Sequence, residues 1–421
     1  MKKAFCISAI GSNQGKTILS SALLYHYKNS VRPYKIGPDF IDPQFHTKIS
    51  STPSINLDSF MMNENQVKWI YDKYNDKDTA IVEGVMGFYD GLDKGCSAYN
   101  ITTMLNIPTI LIIDGSGSYI TLSAIIKGLK EYKQNNTIKG VVFNKLSSQT
   151  HYDLIKKQIL QDFDDIFVLG WIKKNLTSLK NTHLGLDLTT LEQIENISKE
   201  ALEHIDLQLL EQISTTKIIK NIDYYPFDSI VPTQKTIAIV YDENFSFLYY
   251  DNIVFLKELF QNVIFIDSTK DQIIPNNTDI VYICGGYVET DKHYNKIKNS
   301  NNFKQSLIKH SLSKPIYAEC AGLIYLGKKI DNKPMSGILD ISFELKDKRS
   351  RLGYYYNDKN IKGHAFHYSK PTSVKNGCSI LSKKPNHRGE FGSWQTNKVY
   401  GTYLHIFFRN NINFIKEYFG F

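Results

Sequence analysis

Short apolar runs that each stop at a polar or glycine residue, with helical stretches between them, constrain this chain more than any other feature. The first series is KAFCISAI, TAIVEG, IPTILIID, KGVVFNK and DIFVLGWI. Runs of this length alternating with helix predict strands of a parallel sheet covered on both faces, a doubly wound α/β fold. Residues 190–232 begin as an amphipathic helix and end as a polar, aromatic, irregular stretch. The pattern then restarts with KTIAIVYD, NVIFID, DIVYICGG and KPIYAEC. A chain of 421 residues exceeds one ordinary core. Two α/β domains are therefore expected, 1–190 and 234–421, joined by a linker over 191–233. Open α/β sheets bind ligands outside the carboxyl ends of their strands, so each domain has a candidate site at a known edge.

Composition excludes several classes. The longest apolar stretch, IPTILIID, falls far short of the roughly 20 residues needed to cross a bilayer, and a polar glycine loop interrupts the apolar start. A cytoplasmic protein with no membrane partner is expected. Cys6, Cys96, Cys284, Cys320 and Cys378 are scattered without a CxxC pair, which supports neither a disulfide framework nor a zinc site. The net charge of +8 is dispersed over many lysines with no nucleic-acid-binding signature beside it. A polyanionic small substrate would give that charge a purpose, although dispersed charge requires none.

The segment ISAIGSNQGKTILSSALLYHY follows the first strand and opens a helix. That is the setting of a phosphate loop, in which backbone N–H groups and a helix amino end cradle phosphate oxygens. Gly11, Ser12, Asn13, Gln14, Gly15, Lys16 and Thr17 are the expected nucleotide-binding residues. Lys16 would meet the terminal phosphates and the Thr17 hydroxyl would face Mg²⁺. The strict pattern wants glycine five positions before Gly15, where this chain has Ile10. Two acidic stretches accompany the loop. YKIGPDFIDPQFH supplies Lys35, Asp39, Asp42 and His46, and AIVEGVMGFYDG puts Glu83 at a strand end and Asp90 in a glycine-flanked loop. Taken singly, each acid reads as a solvated turn residue. Gathered at one sheet edge, they are candidates to hold Mg²⁺ (Asp39 and Glu83, with Thr17) and to contact substrate or phosphate (Lys35, Asp39, Asp42, Asp90).

In the second half, PIYAECAGLIYLG reads as strand, sharp elbow and helix, with Cys320 at the helix amino end. A lone cysteine is first of all a small core hydrophobe. An ordinary thiol of pKa ~8.5 is only about 3% ionised at pH 7, so a nucleophile there needs a base. KVYGTYLHIFF places His405 on a predicted strand, where a lone histidine reads first as a core residue.

Order and spacing tie these pieces together. SNQGKT, KIGPDFIDPQFH, INLDSFMM and VEGVMGFYDG resemble the amino-terminal synthetase domain of the cobyrinic acid a,c-diamide synthase family, and HLGLDL at 183–188 is similar to a run near the end of that domain. ICGGYVE, AECAG, GHAFHYS and GTYLH resemble the class I glutamine amidotransferase domain fused to it. The resemblance covers nearly the whole chain. It implies a P-loop NTPase-like, dethiobiotin synthetase-like domain followed by a class I amidotransferase domain. It also implies a glutamine-hydrolysing ligase that amidates the a and c carboxylates of cobyrinic acid with ATP, Mg²⁺ and L-glutamine through an acyl phosphate. Cys320 is implied as nucleophile and His405 as proton carrier, with the backbone N–H groups of Gly286 and Ala321 facing the oxyanion. The implied partners leave room for a homodimer.

Two positions depart from the family pattern. Ala365 stands where glutamate is usual, and Phe407 where a second histidine is usual. Many class I amidotransferases also carry a glutamate at the position of Phe407, so the group that orients His405 is open. His364 and His367 alternate on a probable strand, as residues of a structural face do. The remaining alternatives are the same amidation on hydrogenobyrinic acid or nickel sirohydrochlorin, a partition-type ATPase switch, and a degenerate protein that kept the fold and lost an activity.

Overall fold

The protein is described by a computed structural model over residues 2–176, 191–216, 222–373 and 377–420. The HLGLDL run lies outside these residues. The chain divides into two units, 1–226 and 227–421.

In the first unit, β1 (Lys2–Ala9) is buried from Ala4 onward and runs into a loop that opens α1 (Lys16–His26). Next come β2 (Val31–Ile36), α2 (Ile41–Ser50), β3 (Ile55–Leu57), β4 (Thr79–Glu83), β5 (Thr109–Asp114), β6 (Ile138–Leu146) and β7 (Phe167–Lys173). The strand order is β3-β2-β4-β1-β5-β6-β7 and every pairing along it is parallel. Register decides what meets at the carboxyl edge. Both Ile7 of β1 and Lys35 of β2 lie opposite Glu83 of β4, so three strand ends finish level with the phosphate loop. The expected fold class is the one observed. β2 and β3 have no counterpart among the predicted runs, because Arg32, Pro33 and Lys35 break the apolar pattern of a strand that is nonetheless wholly buried.

The stretch expected to be a linker is part of this unit over most of its length. Helix Leu191–Leu202 sets Ile194, Ile197 and Ala201 into the cluster that holds Leu19, Leu23 and Ile7. Each such side chain contributes about 1.5–3 kcal/mol on full burial, enough to hold an amphipathic helix against the sheet. The short strand Thr215–Thr216 then pairs antiparallel with Lys2 and Lys3 of β1. The first unit runs to Pro226 rather than stopping at 190.

The second unit is built on a sheet of seven strands. In spatial order these are Phe260–Ile266, Thr233–Val240, Ile280–Ile283, Ile316–Glu319, Val399–Thr402, Glu390–Thr396 and Gly377–Leu381. The first five are mutually parallel, and the last two pairings are antiparallel. Its core includes Ile239, Val281, Ile283, Ala318 and Leu323, all buried. The strand expected to carry His405 ends at Thr402. His405 lies three residues beyond it, held by a two-way backbone bridge to His364 (2.8 and 2.9 Å).

Candidate functional site

The phosphate loop of the first unit is shaped from beneath by the ends of β5 and β6. Asn144 donates its side-chain amide to the Gln14 carbonyl (2.8 Å), and the Gln14 side-chain oxygen accepts the Asp114 N–H (2.8 Å). Gly15 has φ +109°, and a Cβ there would overlap the Asn144 amide, so the chain can turn into α1 only with glycine. Among the described residues, no side-chain hydrogen bond caps α1 at Gly15. Its first-turn N–H groups therefore lack a side-chain acceptor at the place where phosphate oxygens would supply one. Lys16 folds back across the loop, donating to the carbonyls of Gly11 (2.8 Å) and Met86 (2.5 Å). Burial and the nearby Lys35 ammonium lower its pKa.

Beside the loop, Glu83 is 1% exposed and serves several donors. Its Oε1 accepts Lys35 Nζ (2.9 Å) and, at the long limit, the Thr17 hydroxyl (3.4 Å), while His46 Nε2 lies 3.0 Å from Oε2. Lys35 also reaches Asp42 Oδ2 (2.6 Å) and lies 3.7 Å from Asp39 Oδ2. Burial alone would raise the Glu83 pKa, but Lys35 and His46 hold it well below the usual carboxylate range. Burial pushes Asp42 up to about 6 despite the touching ammonium, because the adjacent Glu83 charge opposes a second ionisation. Asp39 spends one oxygen on the N–H groups of Ile41 (2.8 Å) and Asp42 (3.2 Å) that open α2. Asn56 donates to the Gly37 and Asp39 carbonyls and so fixes this turn.

Thus Thr17, Lys35, Asp39, Asp42 and Glu83 converge. Asp90 does not join them; it accepts the Gly87 N–H (2.7 Å) and closes its own loop, with its field reaching Lys16. Sequence reading missed Asn144 and Asp114, whose only signal is their position at the ends of apolar runs. Among the described residues, no group of three or more His, Cys, Asp or Glu side chains is placed to hold a metal ion.

In the second unit, Cys320 joins strand Ile316–Glu319 to helix Ala321–Leu326 with φ 49° and ψ −104°, outside the usual range for a residue bearing a side chain. The Cys320 N–H is anchored on the Thr402 carbonyl (2.7 Å). The Cys320 side chain lies near enough to the His405 imidazole to raise its pKa. The imidazole Nδ1 lies 3.2 Å from Glu319 Oε2. Glu319 also accepts the hydroxyls of Tyr282 (3.0 Å) and Tyr317 (3.3 Å). Burial would lower the His405 pKa, but Cys320 and Glu319 outweigh it and raise it to about 9.

Gly286 sits in the short pairing with Phe245–Phe247, and Ala321 is the first residue of its helix. Gly285 lies flat against the imidazole, where a Cβ would overlap His405 Cε1. Gly285→Ala is expected to displace the ring and lower glutamine-driven turnover by about 10²-fold with ammonium-driven turnover kept, read from parallel assays with the two nitrogen sources.

His367, near the site, serves packing. It stacks on Tyr403 (3.6 Å between centroids) and bonds the Ser369 carbonyl (2.8 Å). Ala365 is fully buried in the core, and Phe407 stacks on Tyr249 (4.2 Å). Both departures from the family pattern are therefore filled by packing.

Residues 236–412 match the family of CobB/CobQ-like glutamine amidotransferase domains, and residues 46–181 match the family described as AAA domain. A phosphate-loop α/β unit followed by an amidotransferase unit makes the chain a glutamine-hydrolysing ligase with a nucleotide-binding half. Cobyrinate a,c-diamide synthase of Saccharolobus solfataricus is 35% identical over 97% of this chain and 98% of its own. The corresponding proteins of Sulfurisphaera tokodaii (35%; 96% of each chain) and Fusobacterium nucleatum (34%; 99% of this chain, 100% of its own) are similar over the same span. The chain belongs to the cobyrinate a,c-diamide synthase family. No helix among the described residues is long and apolar enough to cross a membrane.

Proposed function

We propose that this protein converts the a and c side-chain carboxylates of cobyrinic acid to amides, using ATP and ammonia released from L-glutamine. The observation that carries this reading is the similarity to cobyrinate a,c-diamide synthases over both units at once.

In the second unit, the Cys320 thiolate attacks the glutamine carbonyl carbon. The resulting oxyanion faces the N–H groups of Ala321 and Gly286, and a single such donor is worth on the order of 10²-fold in rate. His405 gives a proton to the leaving nitrogen, ammonia departs, and a thioester remains on Cys320. Water, deprotonated by His405, then cleaves the thioester to glutamate. In the first unit, a carboxylate oxygen of cobyrinic acid attacks the γ-phosphorus of ATP and ADP leaves. Lys16 and the loop N–H groups of Gly11 to Thr17 offset the charge on the phosphates. Ammonia displaces phosphate from this acyl phosphate and the amide forms. The Thr17 hydroxyl and the Glu83 carboxylate, with Asp39 beside them, are hard oxygen donors that fit Mg²⁺, which would neutralise phosphate charge. The remaining ligands of such an ion would be phosphate and water oxygens, since no cage of three or more such side chains occurs among the described residues. Lys35 and Asp42 are assigned to the carboxylate or phosphate of the substrates, whereas Asp90, which accepts the Gly87 N–H, shapes its own loop.

Ammonia is mostly protonated and unreactive in neutral water, which is the physical reason for carrying both reactions on one chain. The work is assigned to the cytoplasm, where the five free thiols would stay reduced. A homodimer is compatible with it. A partition-type ATPase would leave Cys320 and His405 without a purpose.

The test is incubation of the full chain with cobyrinic acid, ATP, Mg²⁺ and glutamine labelled with ¹⁵N in the amide. Two labelled amides per macrocycle and ADP in step with glutamate are expected. Labelling of hydrogenobyrinic acid in preference to cobyrinic acid would transfer the reading to that ring, and absence of label in both would overturn it.

A further inference from the structure

We propose that Glu319, the residue immediately before the nucleophile, is the positioning residue that orients His405 in this protein, in place of an acid two residues after the histidine. The inference rests on the glutaminase reading of Cys320 and His405. Position 407, where many amidotransferases carry the acid, is a phenylalanine stacked on Tyr249 and contributes no charge. The carboxylate comes instead from the end of strand Ile316–Glu319. Glu319 lies opposite Thr402, the last residue of the strand that leads to His405, so the register delivers the acid beneath the ring.

Glu319 and His405 are each 2% exposed and Nδ1 to Oε2 is 3.2 Å. An Nδ1–H donated to Glu319 leaves Nε2 as the nitrogen for Cys320 and determines which tautomer is present. Gly285 approaches the Cε1 and Nε2 edge of the ring so closely that a Cβ there would overlap it. Glu319 is in turn held by two hydroxyls. Tyr282 and Tyr317 pair across neighbouring strands and donate to Oε2 and Oε1 respectively. A buried carboxylate with these donors and one imidazole is a built support for that imidazole.

Among the described residues, titratable groups that act on His405 include four. Cys320 and Glu319 come from the strand and elbow of the nucleophile. His364 and His367 come from strand Lys362–His367, and burial pushes both down to about 3, so they are neutral throughout the working range. The protonation of His405 is therefore governed by Cys320 and Glu319. Removing the Glu319 charge makes the imidazolium easier to deprotonate. Removing the Tyr282 hydroxyl, which competes for the same Oε2, makes it harder.

The experiment measures glutamate release against pH with cobyrinic acid, ATP and Mg²⁺ present, and ammonium-driven amidation in parallel. For Glu319→Gln, kcat with glutamine is expected to fall by about 10²- to 10⁴-fold, with KM for glutamine within about twofold. The alkaline limb of kcat should move down by about one pH unit, and ammonium-driven turnover should persist. Tyr282→Phe should cost only about threefold and move the same limb upward. An unmoved limb in Glu319→Gln, or a loss confined to KM, overturns the assignment. If Glu319→Gln also loses ammonium-driven turnover, the limb of Tyr282→Phe decides, and one that stays in place overturns it. Glutamate release surviving in Cys320→Ala would instead sink the glutaminase reading on which this one stands.

Discussion

Cys320→Ala is expected to reduce glutamine-driven amidation by on the order of 10⁴-fold or more while leaving ammonium-driven amidation within about twofold. The asymmetry follows from where the thiol sits. Cys320 occupies the elbow between a buried strand and a buried helix, and its side chain meets the His405 imidazole. The backbone around it is anchored by Cys320 N–H to Thr402 and by the helix that follows, neither of which uses the sulfur. Alanine removes the sulfur proposed as the attacking atom and leaves that frame intact. It also has to adopt φ 49°, as cysteine already does, so backbone strain is nearly unchanged. Measured together, glutamate release, ADP formation and amide yield separate the two halves. Loss with both nitrogen sources would make Cys320 a structural residue, and full turnover with glutamine would remove it from the chemistry.

Glu83→Gln is expected to act on the other half, abolishing amidation from either nitrogen source and lowering stability together. The substitution conserves shape but takes the charge from a carboxylate that bonds Lys35, His46 and Thr17 while almost wholly buried. Breaking a buried pair typically costs about 3–5 kcal/mol. Asp42 still touches Lys35 at 2.6 Å, which places the expectation at the lower end, about 3 kcal/mol, or roughly 6–12 °C in Tm. The effect has a definite pH dependence. The Glu83 pKa in the folded protein lies well below the ordinary 4.5. Its contribution is therefore fully present above 4.5 and is lost as the pH falls through the folded value. Thermal melts of wild type and variant should differ most at neutral pH and converge in acid. A gap that stays constant down to pH 3 would show that the carboxylate charge is not what Lys35 and His46 stabilise.

Much of this was legible before any coordinates. The apolar runs gave the central strands of both sheets, since a strand buried on two faces must be apolar throughout. Lys16 and Thr17 follow a strand and a glycine loop, and Cys320 sits in an AECAG elbow, both patterns visible within a dozen residues. β2 was not legible, because Arg32, Pro33 and Lys35 are polar or strand-breaking alone, and Arg32 and Lys35 depend in part on neighbours distant in the chain. Arg32 bonds Asp76 and the Pro53 carbonyl, and Lys35 bonds Glu83. The amphipathic pattern of helix Leu191–Leu202 is visible in the sequence, but the partner of its apolar face is not, so a helix packed on α1 has the pattern of a connector.

Glu319 marks the boundary between the two kinds of information. Local order along the chain marks the central strands, the phosphate loop and the candidate nucleophile, because propensity and turn chemistry act over a few residues. The partner of His405 arises from 86 positions away. It depends on the register of strand Ile316–Glu319 with Val399–Thr402, and on Tyr282 arriving from a third strand. Contacts of that kind come from pairing and burial summed over a whole sheet, and no short window of residues contains them.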